Sequence, residues 1–141
     1  PYLEAELTRA RQRYASVAVS RRGCSLREGV KRLRQREVLG MAIDQNYSKG
    51  GVFVDYLGIP AATAKGTAHL ALKEDARVYI VTSHRRRDGK HVITIDQPLS
   101  FKRTSDFESD VQRATQQIVR RFERFVLRHP EQYHWLHNRW R

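Results

Sequence analysis

The chain has 141 residues and a mass of 16.5 kDa, which leaves room for one ordinary domain. Its 27 Lys and Arg against 15 Asp and Glu give a formal charge of +12. That balance excludes an acidic disordered tail and points to a polyanionic partner: nucleic acid, an anionic membrane face or a phosphorylated ligand. The single cysteine excludes a disulfide framework or a cysteine-based zinc site, and no apolar run approaches the roughly 18 residues of a membrane-spanning helix.

In chain order, Leu3, Leu7, Ala10 and Tyr14 fall at helical spacing, and a short β-branched run follows at Val17 to Val19. Ser25 and Glu28 form a capping box ahead of a helix whose apolar stripe is Leu26, Val30 and Leu33. The apolar run Val38 to Ile43 reads as a buried strand, and polar residues 44 to 51 close on Gly50-Gly51 as a loop. Val52 to Leu57 reads as extended. Gly58 and Pro60 break it before a helix expected from about Ala62 to Lys73. Val78 to Ser83 and Val92 to Ile95 read as an antiparallel hairpin with Asp88-Gly89 at its tip. Ser105 and Glu108 form a second capping box. It opens a long helix with Phe107, Val111, Ala114, Ile118, Phe122 and Phe125 on one face, ended by Pro130. The alternation predicts an α/β chain: a central mixed sheet with flanking helices. The opening Pro1, with the only methionine at position 41, reads as a piece of a longer protein.

Catalytic candidates are few. His69 and Glu74 make the one His-x4-Glu spacing, but both lie in an expected helix, where positions five apart point roughly 140° away from each other. They cannot address one substrate atom, so no catalytic residue is assigned to this chain. His129, His134 and His137 cluster near the end without the further ligand that zinc needs, and no metal site is assigned. Cys24 has basic neighbours but no base beside it.

The charge is more informative. Arg9, Arg11, Arg13, Arg21, Arg22, Arg27, Lys31, Arg32, Arg34 and Arg36 crowd the first quarter beyond what a solvated helix needs. Nucleic acid is the generic candidate, though the aromatic pairs, finger spacings and GXXG loops of nucleic-acid modules do not accompany them; a phosphorylated lipid at a membrane face uses the same electrostatics. Asp44-Gln45 follows an expected strand end, the place where open α/β sheets put ligand groups.

Four ordered blocks carry a resemblance: SRRGCSLREGVKRLRQREVLGMAIDQN, GVFVDYLGIPAATAKGTAHLALKEDARVYIV, RRDGKHVITIDQPL and HPEQYHWLHNRWR. Together they resemble the bacterial lipid A biosynthesis acyltransferases, a branch of the lysophospholipid acyltransferase superfamily, over essentially all 141 residues. The resemblance implies the C-terminal portion of a glycerolipid-acyltransferase-like fold, with the family's His-x4-Asp/Glu motif and N-terminal membrane helix lying before this region. It implies an acyl carrier protein or acyl-CoA donor, a phosphorylated glycolipid acceptor, no metal or redox cofactor, and the cytoplasmic face of the inner membrane. By position, Arg22 matches the arginine used on acceptor phosphate. Asp44 and Gln45 fall at the acceptor-side motif, from which these residues differ. Gly58, Pro60, Thr63 and Gly66 match the substrate-channel block. Arg139 and Trp140 belong to the terminal signature, whose tryptophans either meet the membrane interface or close the core.

Overall fold

The computed structural model describes residues 5–6, 9–10, 13, 25–47 and 49–140. The chain divides into two compact units, residues 1–39 and 40–141. In the first, the described residues of the expected 3–14 helix are helical, while the Val17 to Val19 run lies outside the described residues. Helix α1 spans Ser25–Arg34. The Glu28 carboxylate takes the Arg32 Nε–H one turn on, at 2.8 Å. Arg36, at φ 62°, turns the chain out of the helix.

The second unit opens without regular structure. The run Val38 to Ile43, expected to be a buried strand, forms none, and Val38 is 98% exposed. Only Ile43 packs against the core. Strand β1, Val52–Tyr56, then pairs antiparallel with β2, Ile59–Thr63, in a register from Val52 opposite Thr63 to Tyr56 opposite Ile59. The expected helix start at Ala62 is therefore corrected. Leu57 and Gly58 both have positive φ, 55° and 81°, the pair of conformations that folds a chain straight back on itself. That turn places Ala61, Ala62 and Thr63 in the ladder despite their helical composition. Pro60 is tolerated because β2 is an edge strand. Helix α2, Gly66–Glu74, starts only after them and ends at Asp75 in the left-handed region.

Strands β3, Val81–Arg85, and β4, His91–Ile95, form the expected hairpin around Asp88-Gly89, extended by a bridge between Val78 and Leu99. Helix α3, Phe107–Arg128, follows for 22 residues and stops before Pro130 as expected. Its cap is not Ser105. Asp106 holds the N-cap position and accepts the Ser109 amide at 3.1 Å, because an aspartate carboxylate reaches the third helical amide directly.

Helix α3 is the spine of this unit. Val111, Ala114 and Ile118 pack with Ala68 and Leu72 of α2 and with Ile80 and Leu99. Val119 packs with Val54, Tyr56 and Ala61 of the first hairpin, and Phe122 reaches both clusters. The class is mixed α/β, and the described strands form two separate antiparallel pairs.

Candidate functional site

Residues 44 to 47 lie against the far end of β2, and two hydrogen bonds hold them there. The Asn46 N–H donates to His137 Nε2 at 3.0 Å, across 91 residues of sequence. The Tyr47 N–H donates to the Ala62 carbonyl at 3.1 Å. Gly51 permits the approach, since a Cβ there would stand 2.5 Å from the Tyr47 carbonyl oxygen and 2.6 Å from that of Thr63.

Arg139 fixes the same corner from inside. Its side chain is 1% exposed, and its guanidinium donates to the Ala62 carbonyl at 2.7 Å and to Thr63 Oγ1 at 2.5 Å. The Ala62 carbonyl thus uses both lone pairs, one on the loop and one on the arginine. Thr63 passes its own hydroxyl proton to the Ala61 carbonyl at 3.2 Å. The guanidinium lies over the Tyr56 ring, 5.1 Å from its centroid, and Nε is buried without a hydrogen-bond partner among the described residues. Burial pulls the Arg139 pKa down, while Tyr133, Tyr56 and Asp44 oppose that pull. The group keeps its charge, since arginine starts far above neutrality. Burial likewise pushes the Tyr56 hydroxyl up, with Tyr133 adding to the shift.

The terminal segment closes this region. Trp140 stacks on Tyr56 at 5.6 Å and donates its indole N–H to the Tyr56 carbonyl at 3.2 Å. Trp135 is half exposed and spends its N–H on the Pro130 carbonyl at 2.7 Å. Of the two roles open to the tryptophans, core closure describes Trp140.

The residues expected at a site therefore separate. Asp44, Gln45 and Thr63 share the corner. Gly66 stands against Met41, whose Cε would touch a Cβ at position 66 at 3.2 Å. The Thr67 hydroxyl meets the same methionine at sulfur, 3.4 Å away. Gly58 and Pro60 stand at the other end of the hairpin, where they shape the turn: Pro60 pairs with Asp55, and the Gly58 N–H donates to Asp55 Oδ1 at 2.8 Å. Arg22 and Cys24 lie outside the described residues. His69 rests edge-on against Phe107, with ring centroids 5.2 Å apart, in a packing contact. His129 stacks on His84 at 4.1 Å, whereas His137 accepts from the Asn46 amide.

Two contributors escaped the sequence reading: His137 as a hydrogen-bond acceptor for the loop, and Gly51 as the close approach. The corner offers a half-buried carboxylate at Asp44 and an exposed amide at Gln45, held by a buried cation that no ligand can reach. Such a set can orient a hydroxyl-bearing ligand through hydrogen bonds.

A sequence model described as bacterial lipid A biosynthesis acyltransferase matches residues 1–141. The lipid A biosynthesis palmitoleoyltransferase of Escherichia coli strain K12 is 29% identical over 136 residues, covering 95% of this chain and 42% of that protein. The lipid A biosynthesis acyltransferase of Shigella flexneri matches with the same identity and coverage. The chain thus spans about two fifths of the length of these curated relatives.

Proposed function

The chain belongs to the bacterial lipid A biosynthesis acyltransferase family, and from that membership we propose that its parent protein moves a fatty acyl chain from a thioester onto a lipid A precursor. The donor is an acyl carrier protein or acyl-CoA, and the acceptor is a hydroxyl of the phosphorylated, glucosamine-based lipid. The acceptor oxygen attacks the thioester carbonyl, its proton passes to a histidine outside these residues, and the thiol leaves. This region is the C-terminal half of one acyltransferase domain. Its hairpins join a central mixed sheet with flanking helices of the glycerolipid-acyltransferase type, at the cytoplasmic face of the inner membrane.

The corner that joins Asp44, Gln45 and Thr63 over Arg139 is the observation that supports an acceptor-side role. Asp44 and Gln45 line the acceptor, Arg22 binds its phosphate bidentately, and Gly66 keeps the wall shallow. The basic surface suits an anionic membrane.

The test is acyl transfer by the full-length enzyme to a phosphorylated lipid A precursor, followed by mass spectrometry. Arg22→Ala and Asp44→Ala should each raise the apparent KM for the acceptor, and the 141-residue chain alone should show no turnover. Salt-sensitive binding to RNA or DNA without transfer to the lipid would overturn the reading in favour of a nucleic-acid module.

A further inference from the structure

Helix α3 carries a second concentration of charge on the side away from the core. Arg113, Gln116, Gln117, Arg120, Arg121 and Arg124 line a surface pocket of about 420 Å³. Positions 113, 117, 120 and 124 follow a spacing of four, three and four, so they stand in one row about 16 Å long on a helix rising 1.5 Å per residue.

The side chains of this pocket divide into fixed walls and free charges. Gln116 is bound twice to Asp55, accepting its N–H at 2.7 Å and donating to its carbonyl at 2.8 Å. Gln117 donates to the Ser100 carbonyl at 3.2 Å. Arg121 pairs with Asp96 at 2.9 Å, and that contact holds the Asp96 carboxyl below the usual carboxylate range. Arg113 is held by Ser109 and Asp110. Arg120 and Arg124 are exposed and make no hydrogen bond or ion pair among the described residues.

Three like-charge pairs fall at neighbouring positions of this helix: 120 with 124, 121 with 124, and 124 with 128. Each destabilises the helix when unanswered. The helix dipole answers only the final turn, where Arg128 stands. Arg113 has Asp110 as its partner, but no carboxylate forms an ion pair with Arg120 or Arg124 among the described residues, whereas an anion shared between the two guanidiniums would answer their charge.

The pocket is separate from the corner at Asp44. Gln116 anchors to Asp55, which pairs with Pro60 at the turn end of the first hairpin, whereas Thr63 pairs with Val52 at the other end. We propose that Arg120 and Arg124, in the pocket that Arg113 also lines, form a second anion site, which takes the phosphate of the thioester donor's pantetheine arm while the corner takes the acceptor. The donor role rests on the acyltransferase reading; the phosphate chemistry does not. Coenzyme A presents that phosphate within a pyrophosphate linkage to its nucleotide, and a carrier protein presents it as a phosphodiester. Both offer non-bridging oxygens to a guanidinium fork.

The experiment uses the full-length enzyme and its Arg120→Gln/Arg124→Gln variant, with Arg120→Lys/Arg124→Lys as the conservative control. Binding of unacylated coenzyme A and of inorganic pyrophosphate is measured by calorimetry. The glutamine variant should weaken both about tenfold or more, with the lysine variant recovering much of the loss. In turnover, the donor KM should rise while the acceptor KM and kcat hold. A rise with acyl-CoA identifies the nucleotide-linked pyrophosphate as the source, and a rise with acyl carrier protein alone identifies the protein-borne phosphodiester. Anion binding lost in a protein without acyl transfer would retain the site and sink the acyltransferase reading. Unchanged pyrophosphate and coenzyme A binding together with an unchanged donor KM, or a change confined to the acceptor KM, would overturn the site.

Discussion

Arg139 and Tyr56 are stacked in the interior, guanidinium over ring at 5.1 Å, with both side chains at 1% exposure. No carboxylate forms an ion pair with this buried cation among the described residues. Its compensation is two hydrogen bonds and an aromatic face. Arg139→Ala strips partners from the Ala62 carbonyl and the Thr63 hydroxyl and leaves a void, for a loss of about 2–4 kcal/mol. Arg139→Met fills the void and removes the desolvated charge, so it should be the milder change. Urea denaturation of both variants checks the order; a methionine variant as unstable as the alanine one would mean the charge itself is needed.

Gly51→Ala should be as informative as any charged substitution at the corner. The new methyl group meets two backbone oxygens, neither of which can swing aside like a side chain. The expected cost is about 1–3 kcal/mol, with residues 44–47 displaced from β2. A melting temperature equal to the parent's would show that the loop yields freely.

The bond from Asn46 to His137 can be read by hydrogen exchange. His137→Leu removes the acceptor and should speed exchange of the Asn46 amide, while His137→Gln offers a carbonyl oxygen and should restore part of the protection. Equal exchange in both variants would show that packing, not the acceptor, protects the amide.

Asp110 gives the protein an acid limit. It is 2% exposed, and hydrogen bonds from Thr104, first the backbone N–H at 2.6 Å, hold its carboxyl below the usual carboxylate range, with Arg113 adding to the effect. A depressed value means the stabilisation is complete above the ordinary carboxylate pKa and is lost as pH falls through the lowered one. Asp110→Asn should therefore be less stable than the parent at neutral pH, and the gap should narrow below about pH 4. Stability curves that stay parallel down to acid pH would refute the assignment.

The cap of α3 separates two readings of one sequence stretch. Asp106→Ala should lose about 1 kcal/mol, and Ser105→Ala close to nothing. Thermal melts of the pair decide it.

That stretch also shows what a sequence can convey. The long helix and the β3–β4 hairpin were legible because their signals are local: apolar residues every third or fourth position, and Asp-Gly at a turn. The β1–β2 hairpin was not, because small residues such as Ala61 and Ala62 carry no preference strong enough to resist the turn set at Leu57 and Gly58. Val38 to Ile43 misled in the other direction, since an apolar run records a demand for burial without naming a partner. At the corner, Asp44 and Thr63 could be named, but Arg139 lies 76 residues from Thr63, and no local pattern connects them.

That separation has a temporal side. A ribosome adds roughly 5–20 residues per second, so the Asn46 amide exists for some 5 to 20 seconds before His137 has been made. Arg139 and Trp140 come later still. Until then Tyr56 has Val119 and Phe122 against it but lacks the ring that Trp140 lays over it, and the loop lacks its bond to His137. Growing chains should therefore present this part of the aromatic face to chaperones until Trp140 has been made, and release from them should follow its arrival.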